Sequence, residues 1–212
     1  FPPLWFLVMN KNLKKSAVIN GQKFVCAIDI RSCIPTFFGL YCLKLRKERQ
    51  KARELDIDDT TLASEVETYT AIFCSESEHP RAYLARALRY DIGHSASDSE
   101  IKKMLNEGLN GSGREECKQF RAWIKQQFPN MHKVWATTDI RTTGSNLSKY
   151  YESPIFRNPK VIKMAKKHFL EYVDNHDEAL LYGDSYNAKK FVKWFKPFAR
   201  KTVGIDVQFS VE

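Results

Sequence analysis

The chain has 212 residues, a length that suits one domain or one domain with a subdomain, and its 43% hydrophobic residues are enough for a core. Its net charge of +9 favours a polyanionic partner, with nucleic acid as the first candidate and an anionic membrane face as the second. The five cysteines form no CxxC pair, which argues against a zinc knuckle or disulfide framework, and no apolar run is long enough to span a membrane.

The first third of the chain predicts one buried strand followed by one long helix. "GQKFVCAIDI" indicates a turn at Gly21 and then a strand that carries Asp29 near its end. After Pro35, "TFFGLYCLKLRKERQKAREL" predicts a helix with an apolar first half and a basic second half. The chain opens on Phe1 rather than Met, so we expect it to be a fragment of a longer polypeptide.

The middle third predicts a series of helices. These are "DDTTLASEVETYTAIF", "HPRAYLARALRYDIG", "SDSEIKKMLNEGLNG" and "REECKQFRAWIKQQFP". Ser97 and Glu100 have the spacing of a capping box, and Pro129 is predicted to end the last helix. Residues 137–158 are rich in Thr, Ser, Asn and Gly, which predicts a loop.

The last third predicts a helix–strand–helix–strand order. "PKVIKMAKKHFLEYV" is predicted to be helical with Pro159 in its first turn, and "EALLY" to be a strand. "NAKKFVKWFKPFARK" predicts a second helix, and "VGIDVQFSVE" a final strand with alternating apolar residues. The whole pattern predicts an α+β fold, in which helices flank a small antiparallel sheet.

Two acidic positions indicate where chemistry could take place. A carboxylate at the tip of a buried strand, such as Asp29, is costly unless a cation meets it, and Mg²⁺ takes one or two protein carboxylates. The polar run His176, Asp177 and Glu178 comes directly before the "EALLY" strand. This run predicts a tight polar turn that leads into an arm of a β-hairpin. If the hairpin pairs beside the strand ending at Asp29, Asp29 and Asp177 become neighbours and could share two metal ions.

Simpler interpretations of these residues remain open at this point. Asp29 could cap the helix that follows it, and His176 and Asp177 could be ordinary turn residues. Asp184, in "LYGDSY", could form a second acidic turn, but a helix follows it and a capping role fits better.

Three motifs resemble those of right-hand nucleic acid polymerases, in the same order along the chain. "DIRSCIP" resembles motif A in its family B form, and "HDE" before an apolar strand is similar to motif C of family A DNA polymerases. Between them, "KKMLNEGLNG" resembles motif B, the fingers helix, in its Lys, Asn and Gly spacing. The resemblance implies one compact domain over residues 1–212, with a palm sheet and reduced helical fingers at roughly residues 55–130.

The resemblance also implies a metal site and a nucleotide site. Asp29 and Asp177 would be catalytic and would hold two Mg²⁺ ions, with Mn²⁺ as the alternative, and Ile30 would contribute its main chain. The nucleoside triphosphate would be bound by a second set of residues: Lys102, Lys103, Arg31, Ile34 and Asn106.

Contacts to primer and template are expected from four residues: His176, Glu178, Arg86 and Arg89. The basic helices at residues 41–54 and 81–89 would follow the phosphates of template and product. The resemblance implies template-directed nucleotidyl transfer by a DNA or RNA polymerase, with DNA replication as the expected process. The expected location is the cytoplasm, or wherever the replicating genome or plasmid resides, without secretion or a membrane partner. A metal-dependent nuclease, or a degenerate palm that only binds nucleic acid, are the alternatives.

Overall fold

The protein is described here by a computed structural model that covers residues 11–30, 33–47, 56–74, 79–137, 147–175, 178–203 and 209–211. Within these ranges the chain is α+β, with a small antiparallel sheet and many helices, as the sequence predicts. It divides into two compact units, the first comprising Phe1–Ile30 and Tyr150–Glu212, and the second Arg31–Lys149. The predicted fingers region, residues 55–130, lies within the second unit.

The helices of the described residues lie in both units. In chain order they are α1 (Lys11–Ser16), α2 (Cys33–Lys47), α3 (Asp59–Cys74), α4 (Pro80–Ile92), α5 (Asp98–Glu107), α6 (Glu115–Gln127), α7 (Pro129–Thr137), α8 (Ser153–Phe156), α9 (Pro159–Lys167) and α10 (Ser185–Val203). A 3₁₀ turn follows α5 at Gly108–Asn110, and a π-helical turn precedes α8 at Ser148–Glu152.

The sheet belongs to the first unit and is antiparallel throughout. Its strands are β1 (Val18–Ile19), β2 (Gln22–Ile30), β3 (Glu171–Asn175), β4 (Glu178–Tyr182) and β5 (Phe209–Val211). The order is β1-β2-β4-β3, and β5 also pairs with β2. Along the chain, β2 is followed by helices α2 to α9, then by the β3–β4 hairpin, α10 and β5. This is the split order of a β-α-β-β-α-β motif, with the first strand at the centre.

Alternation along these strands gives the sheet two faces with different contents. We call the side that carries Asp29, Ala27, Glu178 and Leu180 the carboxylate face, and the side that carries Ile28, Ala179, Leu181 and Tyr172 the helix face. A small apolar cluster of Ala27, Val173, Leu180 and Tyr182 covers part of the carboxylate face.

Aromatic packing on the helix face holds α10 against the sheet. The ring of Phe191 contacts Tyr172 of β3, with 6.2 Å between the ring centroids. Phe195 is fully buried and stacks on both Phe191 and Phe156. The Tyr172 hydroxyl donates a hydrogen bond to the carbonyl of Phe156 at 2.7 Å, which ties α8 to β3. The helix face therefore contains the main apolar core of the first unit.

The second unit is a helical bundle with a core of aromatic side chains. Tyr69 and Trp123 each pack their rings against Phe128, and Phe73 and Phe120 extend this core. Glu65 of α3 is buried, and its carboxylate accepts hydrogen bonds from the backbone amides of Asn130 and Met131 at the start of α7. A carboxylate at a helix N-terminus is stabilised by the unpaired amides and the helix dipole.

The predicted helix "PKVIKMAKKHFLEYV" is wrong in its second half. Helix α9 ends at Lys167, Phe169 has a left-handed φ of 55°, and Glu171–Asn175 forms β3. Pairing with β4 buries Val173, and this tertiary contact outweighs the local helical periodicity.

Several predicted boundaries also differ from the structure. The loop predicted for residues 137–158 is wrong for residues 148–156, which are helical, while residues 138–146 lie outside the described residues. Pro35 lies in the first turn of α2 rather than before it, because proline is tolerated at the first turn of a helix. The predicted end of α6 at Pro129 is confirmed, since α6 ends at Gln127 and Pro129 begins α7. Within the predicted final strand, residues 209–211 form β5 and residues 204–208 are outside the described ranges.

Candidate functional site

The end of β2 lies directly beside the start of β4. Asp29 is the register partner of Glu178, and Glu178 is in turn the register partner of Asn175 at the end of β3. Opposed residues on paired strands point to the same face, with Cβ atoms roughly 4.5–5.5 Å apart. The hairpin therefore pairs beside the strand that carries Asp29, which is the condition stated in the sequence analysis, and Asp29 is a strand residue rather than a helix cap.

We call Asp29, Glu178, Asn175 and Lys14 the polar row. Lys14, Asn175 and Glu178 are only 4%, 9% and 5% exposed. The Lys14 ammonium donates to Oδ1 of Asn175 at 2.5 Å, and Nδ2 of Asn175 donates to Oε1 of Glu178 at 2.6 Å. The Oδ1 atom of Asp29 is likewise shielded from solvent. A carboxylate and a lysine therefore share one buried hydrogen-bonded chain, as buried charges require.

Helix α1 supplies the lysine and is itself held by β4. The Tyr182 hydroxyl donates a hydrogen bond to the backbone carbonyl of Lys14 at 2.8 Å. Burial, and secondly the negative charge of Glu178, raise the pKa of the Tyr182 hydroxyl to about 12, so it remains a donor at any physiological pH. Lys14 is thus fixed by both strands of the hairpin, by Tyr182 of β4 through its carbonyl and by Asn175 of β3 through its ammonium.

The donor atoms of the polar row are those that a hard divalent cation prefers. Asp29 and Glu178 offer carboxylate oxygens on adjacent strands, and Mg²⁺ is commonly bound by one or two carboxylates with water in the remaining positions. The described residues contain no group of three or more His, Cys, Asp or Glu side chains that could hold a metal. Asp177, which the sequence predicts as the second metal ligand, lies outside the described residues, together with His176 and Arg31.

Ile30 ends β2 next to the polar row. It is buried, and β5 covers the end of β2 through the pairs Asp29–Ser210 and Ile30–Phe209. An isoleucine side chain has no ligand atom, so its predicted role in the metal site concerns the main chain alone, and this role stays a prediction.

The predicted nucleotide-binding residues of motif B lie on two sides of α5. Ile101, Met104 and Leu105 face the core of the second unit. Lys102 and Asn106, one turn apart, are both exposed, whereas Lys103 makes an ion pair with Glu116 of α6 at 3.5 Å. The helix begins with the predicted capping box, in which the Ser97 hydroxyl and the Glu100 carboxylate bond each other's backbone amides.

The remaining predicted contacts also lie in the second unit. Arg86 and Arg89 are exposed on α4, and the Arg86 guanidinium lies 5.7 Å from the centre of the Tyr83 ring. Ile34 is half-buried in the first turn of α2. Of the two predicted basic helices, residues 81–89 are helical, while the 41–54 segment is described only as far as Lys47. The roles of these residues stay predictions.

Sequence reasoning missed Lys14 and Asn175. The first lies in a short basic segment, "KNLKKS", which has no pattern that distinguishes one lysine from the next. Asn175 ends a strand, β3, whose first residues belong to a predicted helix, so its position opposite Glu178 becomes visible only when β3 and β4 are paired.

No protein-family model, curated protein or solved structure matches this chain. Among the described helices, none combines the length and the apolar character needed to cross a membrane.

Proposed function

We propose that this chain is a template-directed nucleotidyltransferase, similar to family A DNA polymerases, whose sheet in the first unit acts as the palm. The register of Asp29 with Glu178 carries this proposal. Strand β2 contains Asp29, the first residue of the stretch that resembles motif A, and β4 directly follows Asp177 in the stretch that resembles motif C. The two strands pair although 148 residues separate Asp29 from Asp177 in the sequence. A helix and a strand, α10 and β5, follow the hairpin, as the resemblance implies.

Asp29 and Asp177 would hold the divalent cations. Glu178 is paired with Asp29 in the sheet and directly follows Asp177 in the sequence. Bound Mg²⁺ would lower the pKa of the attacking 3′-hydroxyl and stabilise the leaving pyrophosphate. The carboxylate oxygens of Asp29 and Glu178 fit this metal in their chemistry and in their shared face.

Asn175 and Lys14 orient the Glu178 carboxylate. Asn175 fixes one oxygen of Glu178, and Lys14 fixes Asn175, so the rotamer of the glutamate is held before substrate arrives. Preorganised groups of this kind need no rearrangement during the reaction, which is how phosphoryl transfer is accelerated with little covalent chemistry. The buried ammonium of Lys14 also offsets part of the negative charge gathered at this end of the sheet.

Lys102 and Asn106 are proposed to bind the incoming nucleoside triphosphate. Both side chains are exposed on one side of α5, where the ammonium could neutralise phosphate charge. Lys103 is the weaker candidate, since it is already paired with Glu116.

The test is primer extension with dNTPs or NTPs, with and without Mg²⁺, on the wild type and on Asp29→Asn and Asp177→Asn. Each substitution removes one charge at nearly constant volume, and we expect incorporation to fall to background while the circular dichroism spectrum is unchanged. Asp184→Asn is the matched control. Its side chain caps α10 through the amides of Tyr186 and Asn187, and asparagine caps equally well, so full activity is expected.

Other outcomes would replace the proposal with a different function. Full incorporation by Asp29→Asn would contradict it. Shortening of a labelled strand in the absence of nucleotides would indicate a nuclease that uses the same carboxylates. Binding of primer–template without Mg²⁺, and without any incorporation, would indicate a degenerate palm.

A further inference from the structure

The helix face of the first unit carries a concentration of positive charge that the polymerase resemblance does not explain. Helix α10 packs on this side of the sheet through Phe191 and Tyr172, and α9, which contacts β3, also contacts α10. They contain ten basic residues and no acidic residue: Lys160, Lys163, Lys166, Lys167, Lys189, Lys190, Lys193, Lys196, Arg200 and Lys201. The chain as a whole has a net charge of only +9, so its positive charge is concentrated here.

The basic side chains lie on the outer side of the two helices. Each helix buries an apolar stripe, formed by Val161 and Ala165 in α9, and by Ala188, Phe191, Phe195 and Ala199 in α10. Eight of the ten basic residues are exposed, and Lys196 and Arg200 are half-buried. The result is a cationic surface that a polyanion could follow.

Two exposed aromatic rings lie at one end of this surface. Phe169 is 81% exposed just after α9, and Tyr186 is 63% exposed in the first turn of α10. The turn after α9 lies next to the turn before α10. Glu171 of β3 pairs with Tyr182 of β4. Gly183, which follows Tyr182, lies so close to Phe169 that a Cβ atom built on the glycine would be 3.3 Å from the carbonyl oxygen of Phe169. The two rings are therefore presented from neighbouring segments of the same unit.

Neither ring contributes to the core, and Phe169 has an unfavourable backbone. Its φ of 55° is in the left-handed region, which aromatic residues rarely adopt. This conformation belongs to the C-terminal cap of α9, in which the Phe169 amide donates to the carbonyl of Lys166 at 2.9 Å and the Leu170 amide to that of Ala165 at 3.0 Å. The cap accounts for the backbone of Phe169, and its ring is left exposed to solvent. The Lys190 ammonium lies 4.2 Å from the centre of the Tyr186 ring, so an aromatic surface and a cation occur together.

From these observations we propose that the outer surface of α9 and α10 binds single-stranded nucleic acid, with lysines on the phosphates and with Phe169 and Tyr186 stacked on bases. Single strands are bound by a basic groove or surface combined with aromatic platforms, without need for sequence readout. A duplex would leave both rings unused, because its bases are stacked on each other. The surface lies across the sheet from the polar row, and it would hold a strand apart from the site of the proposed chemistry.

The experiment is a fluorescence-anisotropy titration of the full chain with a labelled single-stranded oligonucleotide, repeated at several salt concentrations. The main variant is Phe169→Asn with Tyr186→Ala; asparagine tolerates the left-handed backbone, so the fold is retained. Loss of two stacking platforms should weaken binding by at least about tenfold. A second variant, Lys189→Gln with Lys193→Gln, should reduce the slope of log K against log salt by about 1.4.

The matched control for charge is Lys118→Gln with Lys125→Gln on α6, where both lysines are exposed in the second unit. It should leave binding within about twofold of the wild type. Unchanged affinity in the aromatic variant, an equal loss in the control, tighter binding of duplex than of single strand, or equal binding to anionic lipid vesicles would each overturn the proposal.

The binding surface does not depend on the proposed nucleotidyl transfer, and one set of variants distinguishes the failure of either proposal. Asp29→Asn should bind the oligonucleotide as tightly as the wild type. If that variant incorporates nucleotides normally, the proposed enzyme function fails and the binding surface stands. If the aromatic variant binds normally while Asp29→Asn is inactive, the binding surface fails alone.

Discussion

The two faces of the sheet in the first unit are made from alternate residues of the same strands, yet they differ in what they bury. On the helix face, the rings of Tyr172, Phe191 and Phe195 pack together beneath α10. On the carboxylate face, a few apolar side chains give way at the end of the sheet to Asp29, Glu178 and Asn175.

Because successive residues of a strand point to opposite faces, residues that stabilise the unit alternate with residues of the candidate site. A shift of one residue in register exchanges the two faces, so the burial of the helix face also fixes which residues meet in the polar row. The paired position of Asp29 and Glu178 is therefore a consequence of packing on the other side of the sheet. Substitutions on the helix face should unfold the unit, and substitutions in the polar row should mainly alter its function.

The largest expected effect on stability comes from Phe195→Ala on the helix face. Phe195 is fully buried between Phe156 and Phe191, and removal of a buried phenylalanine ring typically costs about 3–5 kcal/mol. Urea denaturation followed by circular dichroism measures the free energy of unfolding. Asp29→Asn, as the comparison, should change it by less than about 1 kcal/mol, and a similar loss in both variants would contradict the proposed division between the faces.

A smaller effect is expected from Lys14→Met in the polar row. The substitution keeps the length of the side chain but leaves Oδ1 of the buried Asn175 without the ammonium donor, at a cost of about 1–3 kcal/mol. Lys23→Met, at an exposed position of β2, is the matched control and should be nearly neutral. In a double-mutant cycle with Asn175→Leu, the two losses should be less than additive. Strict additivity would show that the contact contributes nothing.

The smallest effect is expected from Tyr182→Phe, and it depends on pH. At pH 7 the variant loses the hydrogen bond to the Lys14 carbonyl, worth about 1 kcal/mol. Because the pKa of Tyr182 is raised from 10.0 to about 12, its contribution is complete below pH 10 and is lost as the pH rises towards 12. The stability difference between wild type and variant should therefore shrink in urea titrations from pH 9 to pH 12. Tyr172, whose pKa is also raised by burial, affects both proteins alike.

Strands β2 and β4 and most helices could be predicted, because their residue patterns are local. The strand "EALLY" is found at the predicted residues Glu178–Tyr182, and the capping box of Ser97 and Glu100 is present as predicted. Strand β3 could not be predicted, since "EYVDN" continues a helical pattern and becomes a strand only through its pairing with β4. Its recognition required knowledge of the partner strand.

The candidate site was predictable only in part, for the same reason. Carboxylates at strand ends are visible in a sequence, and the pairing of Asp29 beside the hairpin follows from a topology that could be proposed in advance. Lys14 is part of the site only because α1 packs against the hairpin, and Lys14 precedes its partner Asn175 by 161 residues in the sequence. Contacts of this kind are set by tertiary structure and leave no periodic trace in the sequence.

The central claim is that the end of β2 and the β3–β4 hairpin share a divalent cation. Iron-dependent cleavage of the polypeptide tests this claim most directly. Fe²⁺ replaces Mg²⁺ at the site, and ascorbate and peroxide then generate hydroxyl radicals that cut the chain near the ion. Mass spectrometry of the fragments identifies the cut positions. We expect cuts at two segments, near residue 29 and near residues 177–178, and the loss of both cuts together in Asp29→Asn. Cuts at only one of these segments, or cuts that persist in Asp29→Asn, would contradict it.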